Sequence, residues 1–139
     1  MPCSVYCSPA EQLDNPHLVE RGTGSVINVA SVGGLGGAPL LSHYGAAKAA
    51  VVSLTKSLAV EWAARGVRAI ALCPGWTATD LNRNLWGNEE ASRATIAAVP
   101  MGRWGRAEEM AGPAVFLASE ASSYMTGQVL IVDGGQTVI

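Results

Sequence analysis

Residues 25–72 read SVINVASVGGLGGAPLLSHYGAAKAAVVSLTKSLAVEWAARGVRAIAL and contain three segments with different patterns. Residues 25–30 and 67–72 are short apolar runs bounded by turn signals, which is typical of buried strands. Between them, from Ser42 to Arg65, apolar residues recur at three- and four-residue spacing, and Gly66 follows as a helix-ending residue. The pattern predicts a strand, a long helix and a second strand.

The C-terminal half continues this order. Val129–Val132 is a third continuous apolar run. Two further helices are predicted before it: one from an Asn88 cap to about Ala98, and one over residues 108–119 that Pro113 should kink or shorten in its first part. Strands without polar alternation indicate a parallel sheet covered on both faces. We therefore predict an α/β fold, a partial doubly wound (Rossmann-like) parallel sheet of three strands with covering helices.

The N-terminal residues show weaker patterns. Residues 1–24 are predicted to be irregular, apart from a short helix that begins at a Ser8 cap and ends before Pro16. Neither a positive start nor an apolar stretch of a secretory signal is visible there. Cys3, Cys7 and His17 lack the fourth ligand of a structural zinc site, so no metal is predicted.

The composition limits the function classes. The chain has 139 residues, 49% hydrophobic and 14% charged, so one core-forming domain is expected. The net charge of −2 provides no basic surface for nucleic acid or an anionic membrane. No apolar run approaches the ~18 residues that span a bilayer. Three cysteines cannot all pair within one chain, so a cytoplasmic location is expected.

Candidate chemical groups follow each predicted strand. Parallel α/β sheets bind ligands beyond the carboxyl ends of their strands. Ser31 follows the first strand, the loop 74–79 (PGWTAT) follows the second, and Asp133-Gly134-Gly135 follows the third. These three segments are therefore expected to border one cleft.

Tyr44 and Lys48 are four residues apart on the long helix, so their side chains share one face. An adjacent ammonium favours a phenolate, which makes a tyrosine usable as a general acid or base. Ser31 precedes a glycine-rich loop that could turn its hydroxyl toward the tyrosine and polarise a carbonyl oxygen. Taken alone, the pair also fits a solvated helix face, and the glycine loop also fits a flexible turn.

The combination of motifs is far more specific. Asn28-Val29-Ala30-Ser31 followed by Tyr44-Gly45-Ala46-Ala47-Lys48 resembles the short-chain dehydrogenase/reductase family. The segments 74–79, 102–109 and 127–135 resemble further signatures of that family, in the same order. The resemblance runs from about Pro16 to Gly135. It divides the chain into a divergent N-terminal segment, residues 1–15, and the C-terminal part of such a domain, residues 16–139.

The resemblance implies an NAD(P)-dependent oxidoreductase that transfers hydride between the nicotinamide and a carbonyl or secondary alcohol. Tyr44 would exchange the proton, Lys48 would favour its phenolate and hold the nicotinamide ribose, and Ser31 would orient the substrate oxygen. The nicotinamide pocket would be lined by Pro74, Gly75, Thr77 and Thr79. In many members isoleucine or valine replaces Thr77.

The departure from the family is at the N-terminal side. The family's glycine-rich phosphate turn cannot be identified, so cofactor binding and turnover by these residues are expected to be impaired. Only the last three of the family's seven strands are expected, which would leave the outer edge of the first one unpaired. The long helix from Ser42 to Arg65 would lose a neighbour, and we expect a homo-oligomer to cover it.

Several alternatives stay open. The chain could be a non-catalytic remnant that dimerises with a full-length paralogue. A serine hydrolase is disfavoured because Gly-x-Ser-x-Gly around Ser31 would need glycine at Val29. The small-molecule substrate could be a 3-oxoacyl thioester, a sugar or a polyol, and the cofactor NAD or NADP. Three tryptophans, Trp76, Trp86 and Trp104, could line the substrate pocket or simply pack in a core or interface.

Overall fold

The computed structural model describes residues 3–6 and 16–138. Its main sheet has four parallel strands, in the order β1 (Cys3–Tyr6), β2 (Gly24–Val29), β3 (Val67–Pro74) and β6 (Val129–Val132). The three predicted strands are confirmed, and so are their parallel pairing and the α/β class. The order brings the carboxyl ends of β2, β3 and β6 to one edge of the sheet.

Strand β1 differs from the prediction. Its residues were expected to be irregular, and the outer edge of β2 was expected to be unpaired; instead β1 pairs with β2 from Cys3 opposite Ser25 to Tyr6 opposite Asn28. A four-residue edge strand is too short to produce a recognisable pattern, and its order comes from pairing with a distant neighbour. The predicted Ser8 cap lies outside the described residues. A helix, α1, spans Pro16–Arg21, so Pro16 begins a helix where it was expected to follow one.

The long predicted helix is confirmed as α2 (Ser42–Trp62), followed by a 3₁₀ turn over Ala63–Arg65. Gly66 ends it in the left-handed conformation, with φ 72°. Its inner face buries Leu58 and Ala59 against Val26, Val67 and Ala69 of the sheet and against Leu18 of α1. Closer to the N-terminus of α2, Val52 packs with Ala30, Ala71 and Cys73. The inner face therefore fixes α2 across β2 and β3.

The opposite face of the sheet is covered by α5 (Ala111–Ala118), which follows a 3₁₀ turn over Ala107–Met110. Leu117 is fully buried there against Ile27, Ile70 and Leu72, the residues that alternate with those facing α2. Of the two effects expected from Pro113, the structure has the shortened first part: residues Ala107–Met110 are 3₁₀, and the α-helix begins at Ala111. Pro113 lies in the first turn of α5, where a backbone N–H has no helical partner, so proline fits there without distortion.

The segment between β3 and α5 forms a small layer over the carboxyl edge. It contains β4 (Thr77–Ala78), α3 (Arg83–Trp86), α4 (Glu89–Ile96) and β5 (Gly105–Arg106). The predicted Asn88 cap is confirmed, because its side chain accepts a hydrogen bond from the Ala91 N–H at 2.9 Å. Strands β4 and β5 pair in parallel, which was not predicted. Among the described helices, none combines the length and apolarity needed to cross a bilayer.

Candidate active site

A cavity of about 280 Å³ opens at the carboxyl edge of the sheet. Ser31 reaches it from the end of β2, Gly75 and Thr77 from the end of β3, and Tyr44 from the first turn of α2. The remaining lining comes from apolar residues and two amides: Val32, Gly33, Ala38, Leu41, Trp76, Leu81, Leu85, Asn82 and Gln136. A cleft beyond the strands is therefore present, but Asp133, Gly134 and Gly135, which were expected to border it, are not among its lining residues.

The Ser31 and Tyr44 side chains both lie next to Gly33. A Cβ atom placed on Gly33 would be 3.5 Å from Ser31 Oγ and 3.2 Å from Cε1 of the Tyr44 ring. Ser31 Oγ accepts a hydrogen bond from the Gly33 N–H at 3.1 Å, which fixes the direction of the hydroxyl. Because Tyr44 remains partly exposed, a ligand in the cavity can contact both side chains.

The Lys48 ammonium lies near the Tyr44 ring. Its Nζ donates to the Val29 carbonyl at 3.2 Å and is 5.9 Å from the centroid of the Tyr44 ring. An ammonium has three donors, and a single one of them is used by the described residues. The remaining donors can bind hydroxyl groups of a ligand at this edge of the sheet.

The glycine-rich loop after β2 packs closely against the backbone of α2. A Cβ on Gly34 would lie 2.6 Å from the Lys48 carbonyl carbon, and one on Gly45 would lie 2.9 Å from the Gly33 oxygen. Loop and helix therefore meet backbone to backbone, which brings Ser31 within reach of the Tyr44 ring. Sequence patterns could not distinguish this contact from a flexible turn.

Asn28 and Thr55 join the strand to the helix that carries the tyrosine. Asn28 Nδ2 donates to Thr55 Oγ1 at 2.9 Å, and Thr55 Oγ1 donates to the Val51 carbonyl at 2.7 Å. Both side chains are buried, so the bond holds β2 and α2 in one relative position. The sequence signal for this positioning pair was a threonine on the inner, apolar face of the helix.

The loop after β3 is held by its own hydrogen bonds. Thr77 Oγ1 donates to the Gly75 carbonyl at 3.1 Å, and Asn82 Nδ2 donates to the Thr77 carbonyl at 2.9 Å. Asn82 Oδ1 also accepts from the N–H of Thr79 at 2.9 Å. Gly75 and Thr77 line the cavity, whereas Pro74 ends β3 and Thr79 is exposed, and neither belongs to the cavity wall.

The three tryptophans have different positions. Trp76 lines the cavity, and the Trp104 ring packs against it edge-on with centroids 5.6 Å apart. Trp104 Nε1 donates to Ser92 Oγ at 2.7 Å, which connects this pair to α4. Trp86 Nε1 donates to the Thr79 carbonyl at 2.8 Å, away from the cavity. One of the three is therefore a wall of the site, and the other two support the layer around it.

Arg103 and Glu109 form a two-point ion pair beside this layer. Arg103 Nη1 and Nη2 each donate to one oxygen of Glu109 at 2.8 Å, and the Arg106 N–H donates to Oε2 at 2.8 Å. The hydrogen bonds from Arg103, and next the one from Arg106, lower the pKa of Glu109 to about 2. The carboxylate therefore stays charged and anchors the chain next to β5.

The Asp133-Gly134-Gly135 segment is a turn closed by the Asp133 carboxylate. Its Oδ1 accepts from the Gly135 N–H at 2.9 Å, and its Oδ2 accepts from the N–H and hydroxyl of Thr137 at 2.8 and 2.7 Å. Burial raises the pKa of Asp133, but the hydrogen bonds from Thr137 and Gly135 outweigh burial, and the net pKa is lowered. The turn directs Gln136, which no sequence motif indicated, into the cavity wall.

Cys73 is the last apolar residue of β3 before Pro74 and is fully buried with a free thiol. Burial raises the pKa of this thiol, which keeps it uncharged. The predicted role of a small buried hydrophobe is confirmed. Within residues 3–6 and 16–138, no cluster of three acidic, histidine or cysteine side chains could hold a metal ion.

Comparison with known proteins identifies the family of the chain. The family model described as enoyl-(acyl carrier protein) reductase matches residues 7–137. A 2-dehydro-3-deoxy-D-gluconate 5-dehydrogenase of Bacillus subtilis is 44% identical over 89% of this chain and 49% of its own length. A 3-oxoacyl-[acyl-carrier-protein] reductase of Thermotoga maritima is 40% identical over 91% of this chain and 51% of its own length.

A similar structure is the crystal structure of a gluconate 5-dehydrogenase from Burkholderia cenocepacia in complex with NADP and tartrate. It is 42% identical, with a TM-score of 0.86 over 89% of this chain and 49% of that one. The matches and the parallel α/β sheet together define the fold class. The chain belongs to the short-chain dehydrogenase/reductase family. It spans about half the length of the curated relatives it matches.

Proposed function

We propose that the protein is an NAD(P)-dependent oxidoreductase that interconverts a carbonyl group and a secondary alcohol. The observation that carries this proposal is the placement of the Ser31 hydroxyl and the Tyr44 ring around one cavity, with the Lys48 ammonium next to the ring. The similarity to dehydrogenases and reductases supports the same reaction class.

In this proposal Tyr44 and Ser31 act on the substrate oxygen. When bound, reduced nicotinamide supplies the hydride that is added to the carbonyl carbon. Tyr44 gives its phenolic proton to the carbonyl oxygen, so that C=O becomes CH–OH, and the phenolate then regains a proton from solvent. The Ser31 hydroxyl, directed by the Gly33 N–H, donates a hydrogen bond to the same oxygen and stabilises its developing charge.

Lys48 has two parts in this proposal. Its charge favours the phenolate that Tyr44 leaves behind, since the ammonium is held near the ring by the Val29 carbonyl. Its remaining donors hold the nicotinamide ribose. The cofactor fits the donors present, because within the described residues Lys48 uses one of its three donors. Gly75 lets the end of β3 and the turn after β6 approach closely, since a Cβ on it would be 2.7 Å from Asp133 Cα. With Pro74, Thr77 and Thr79, Gly75 forms the proposed nicotinamide side of the site.

These 139 residues show no glycine-rich turn that would bind the pyrophosphate. We therefore propose that they contact the nicotinamide half of the dinucleotide and bind the adenylate half weakly, whether the cofactor is NAD or NADP. Under this proposal the chain consists of a divergent segment, residues 1–15, and the C-terminal part of a family domain, residues 16–139. A cytoplasmic location is proposed on the buried, unpaired thiol of Cys73.

The test compares two reduced nucleotides on the 139-residue chain. Titration with NADPH and with reduced nicotinamide mononucleotide, followed by nicotinamide fluorescence, is expected to give affinities within about tenfold of each other. The shorter nucleotide carries the ribose but lacks the adenylate. Lys48→Met is expected to weaken the binding of both nucleotides by the same factor, because both carry the ribose that Lys48 is proposed to hold.

Two results would contradict these proposals. NADPH binding far tighter than mononucleotide binding would show that a phosphate or adenylate site exists. No saturable binding of either nucleotide, together with no reduction of any carbonyl compound, would refute the oxidoreductase assignment.

We propose that a second copy of this chain covers the outer face of α2, the helix that runs to Arg65 through its 3₁₀ turn. That face presents the small residues Ala50, Ser53 and Ser57. It also carries Val60, whose side chain is 83% exposed. A full-length relative could use the same face, which is the alternative of a dimerising partner. Sedimentation equilibrium is expected to show a dimer that Ser53→Arg dissociates; a monomer at all concentrations would rule this proposal out.

A further inference from the structure

The Gln136 side chain is a polar group of the cavity that the proposed reaction does not use. Its Oε1 atom is buried and has no hydrogen-bond partner. The residue nevertheless lines the same cavity as Ser31 and Tyr44. Buried amide groups in folded proteins are almost always hydrogen-bonded, because water no longer compensates an unpaired one. An orphaned amide beside a candidate catalytic pair therefore requires an explanation.

Two other polar side chains of the cavity wall, Asn82 and Thr77, are already paired. Asn82 uses both of its amide atoms on the backbone of Thr77 and Thr79. The Thr77 hydroxyl donates to the Gly75 carbonyl. Neither side chain is therefore available to Gln136. In the described part of the cavity wall, Gln136 is the amide left for a ligand.

The structure holds Gln136 in this position from both sides. Asp133 accepts hydrogen bonds from Gly135 and Thr137, the residues that flank Gln136, so the backbone of the turn is fixed. A Cβ on Gly75 would lie 3.0 Å from Gln136 Oε1, so a side chain at that position would push the amide away. The backbone of the turn therefore places the Gln136 side chain against Gly75 in the cavity wall.

The chemistry of the missing partner can be specified. A hydroxyl group both donates and accepts, so it can pair with an amide in either orientation. The terminal torsion of glutamine is soft, so rotation about it turns the buried oxygen toward the cavity without moving the backbone. An aliphatic 3-oxoacyl thioester has carbonyl oxygens that accept hydrogen bonds. It has no hydrogen-bond donor next to its 3-oxo group. A hydroxylated ligand therefore fits the orphaned oxygen and an acyl thioester does not.

We propose that Gln136 is a specificity-determining residue that binds a substrate hydroxyl, so that the site takes polyhydroxylated carbonyl compounds and their alcohols in preference to 3-oxoacyl thioesters. This rests on the proposed function, because it names the substrate class of the same site. The cavity of about 280 Å³ is at the small end for ligand sites, which suits a compact, hydroxylated molecule. Trp76 and the leucines of the wall pack against its carbon skeleton.

The test measures binding to the 139-residue chain with two probes, gluconate as the hydroxylated one and an acetoacetyl thioester as the acyl one. Calorimetric titration is expected to show tighter binding of gluconate. Gln136→Met, which keeps the shape but removes the amide, is expected to weaken gluconate binding about tenfold and to leave the thioester unchanged within twofold. The matched control is Gln128→Met, since Gln128 is an exposed glutamine outside the cavity wall, and it should change neither affinity.

A second readout separates a binding role from a structural one. Because Gln136 Oε1 is unpaired in the free chain, removing it is expected to raise the melting temperature by about 2–5 °C. A glutamine that merely stabilised the turn would give the opposite sign. Gain of stability together with loss of gluconate binding is therefore the expected result.

The inference is overturned if gluconate fails to bind the unchanged chain, if Gln136→Met binds gluconate as tightly as before, or if the thioester is the tighter probe. None of these results affects nicotinamide nucleotide binding, which is measured separately with NADPH and the mononucleotide. Loss of nucleotide binding with an intact Gln136 effect would instead refute the oxidoreductase proposal and leave a hydroxyl-binding site.

Discussion

Tyr44→Phe is expected to lower the rate of hydride transfer by about 10²–10⁴-fold, the usual contribution of a positioned general acid. Phenylalanine keeps the ring that lies against Gly33 and near Lys48, so the cavity wall stays in place. What disappears is the proton that the carbonyl oxygen must receive as its negative charge develops. The measurement is single-turnover oxidation of NADPH or of the reduced mononucleotide at saturating carbonyl substrate, so that binding and chemistry are separated.

The control for this prediction is Tyr124→Phe. Tyr124 is fully exposed and contributes to a different cavity, beside Gly24 and Arg68. This variant should leave the rate unchanged, and both variants should melt within a few degrees of the unchanged chain because neither replacement removes buried contacts. If Tyr44→Phe retained full activity, another group would have to supply the proton, and the assignment of Tyr44 would be wrong.

Gly66→Ala is expected to destabilise the fold by about 2–4 kcal/mol, a large share of the roughly 5–15 kcal/mol that holds a domain together. Gly66 has φ 72°, a conformation that costs an L-residue about 1–2 kcal/mol. In addition, a Cβ at this position would lie 2.3 Å from the carbonyl oxygen of Gly22, which is a backbone atom. The turn after α2 and the turn before β2 would therefore have to separate.

Urea unfolding, monitored by tryptophan fluorescence, measures this loss of unfolding free energy. The same loss should lower the melting temperature by about 10 °C. Gly36→Ala is the matched control, because no atom lies within 4 Å of its added Cβ and no positive φ is involved. It should be neutral or slightly stabilising, since alanine restricts the unfolded chain. Equal effects of the two substitutions would mean that the contact between Gly66 and Gly22 does not limit stability.

The sequence predicted the elements whose signals are local. The apolar runs that became β2, β3 and β6 are continuous and bounded by turns, and α2 combines helical periodicity with a glycine at its end. The elements that the sequence did not predict lack such signals. Strand β1 has four residues, and β4 and β5 have two each, so their order depends on partners elsewhere in the chain. Pro113 indicated a shortened helix, but the residue at which the α-helix begins, Ala111, could not be located from the proline alone.

The candidate site divides in the same way. Ser31, Tyr44 and Lys48 could be identified from residue types and spacing, and their roles stay proposals. Three features could not be inferred: the Ser31 hydroxyl and the Tyr44 ring both lie next to Gly33, Asn28 fixes β2 to α2 through Thr55, and Gln136 enters the same cavity. Gln136 is 105 positions (136 − 31) beyond Ser31, and no periodicity relates residues so far apart.

The amino-acid sequence alone determined the α/β class, the succession of the three main strands and the chemical groups at their carboxyl ends, because periodicity, turn residues and side-chain chemistry are properties of neighbouring residues. The tertiary structure decided which of those groups face one another. It set the fourth strand at the edge, the backbone contact between the glycine loop and α2, and the unpaired amide of Gln136. Each of these arises from packing between segments distant in the chain, where a few tenths of an ångström decide whether a side chain fits.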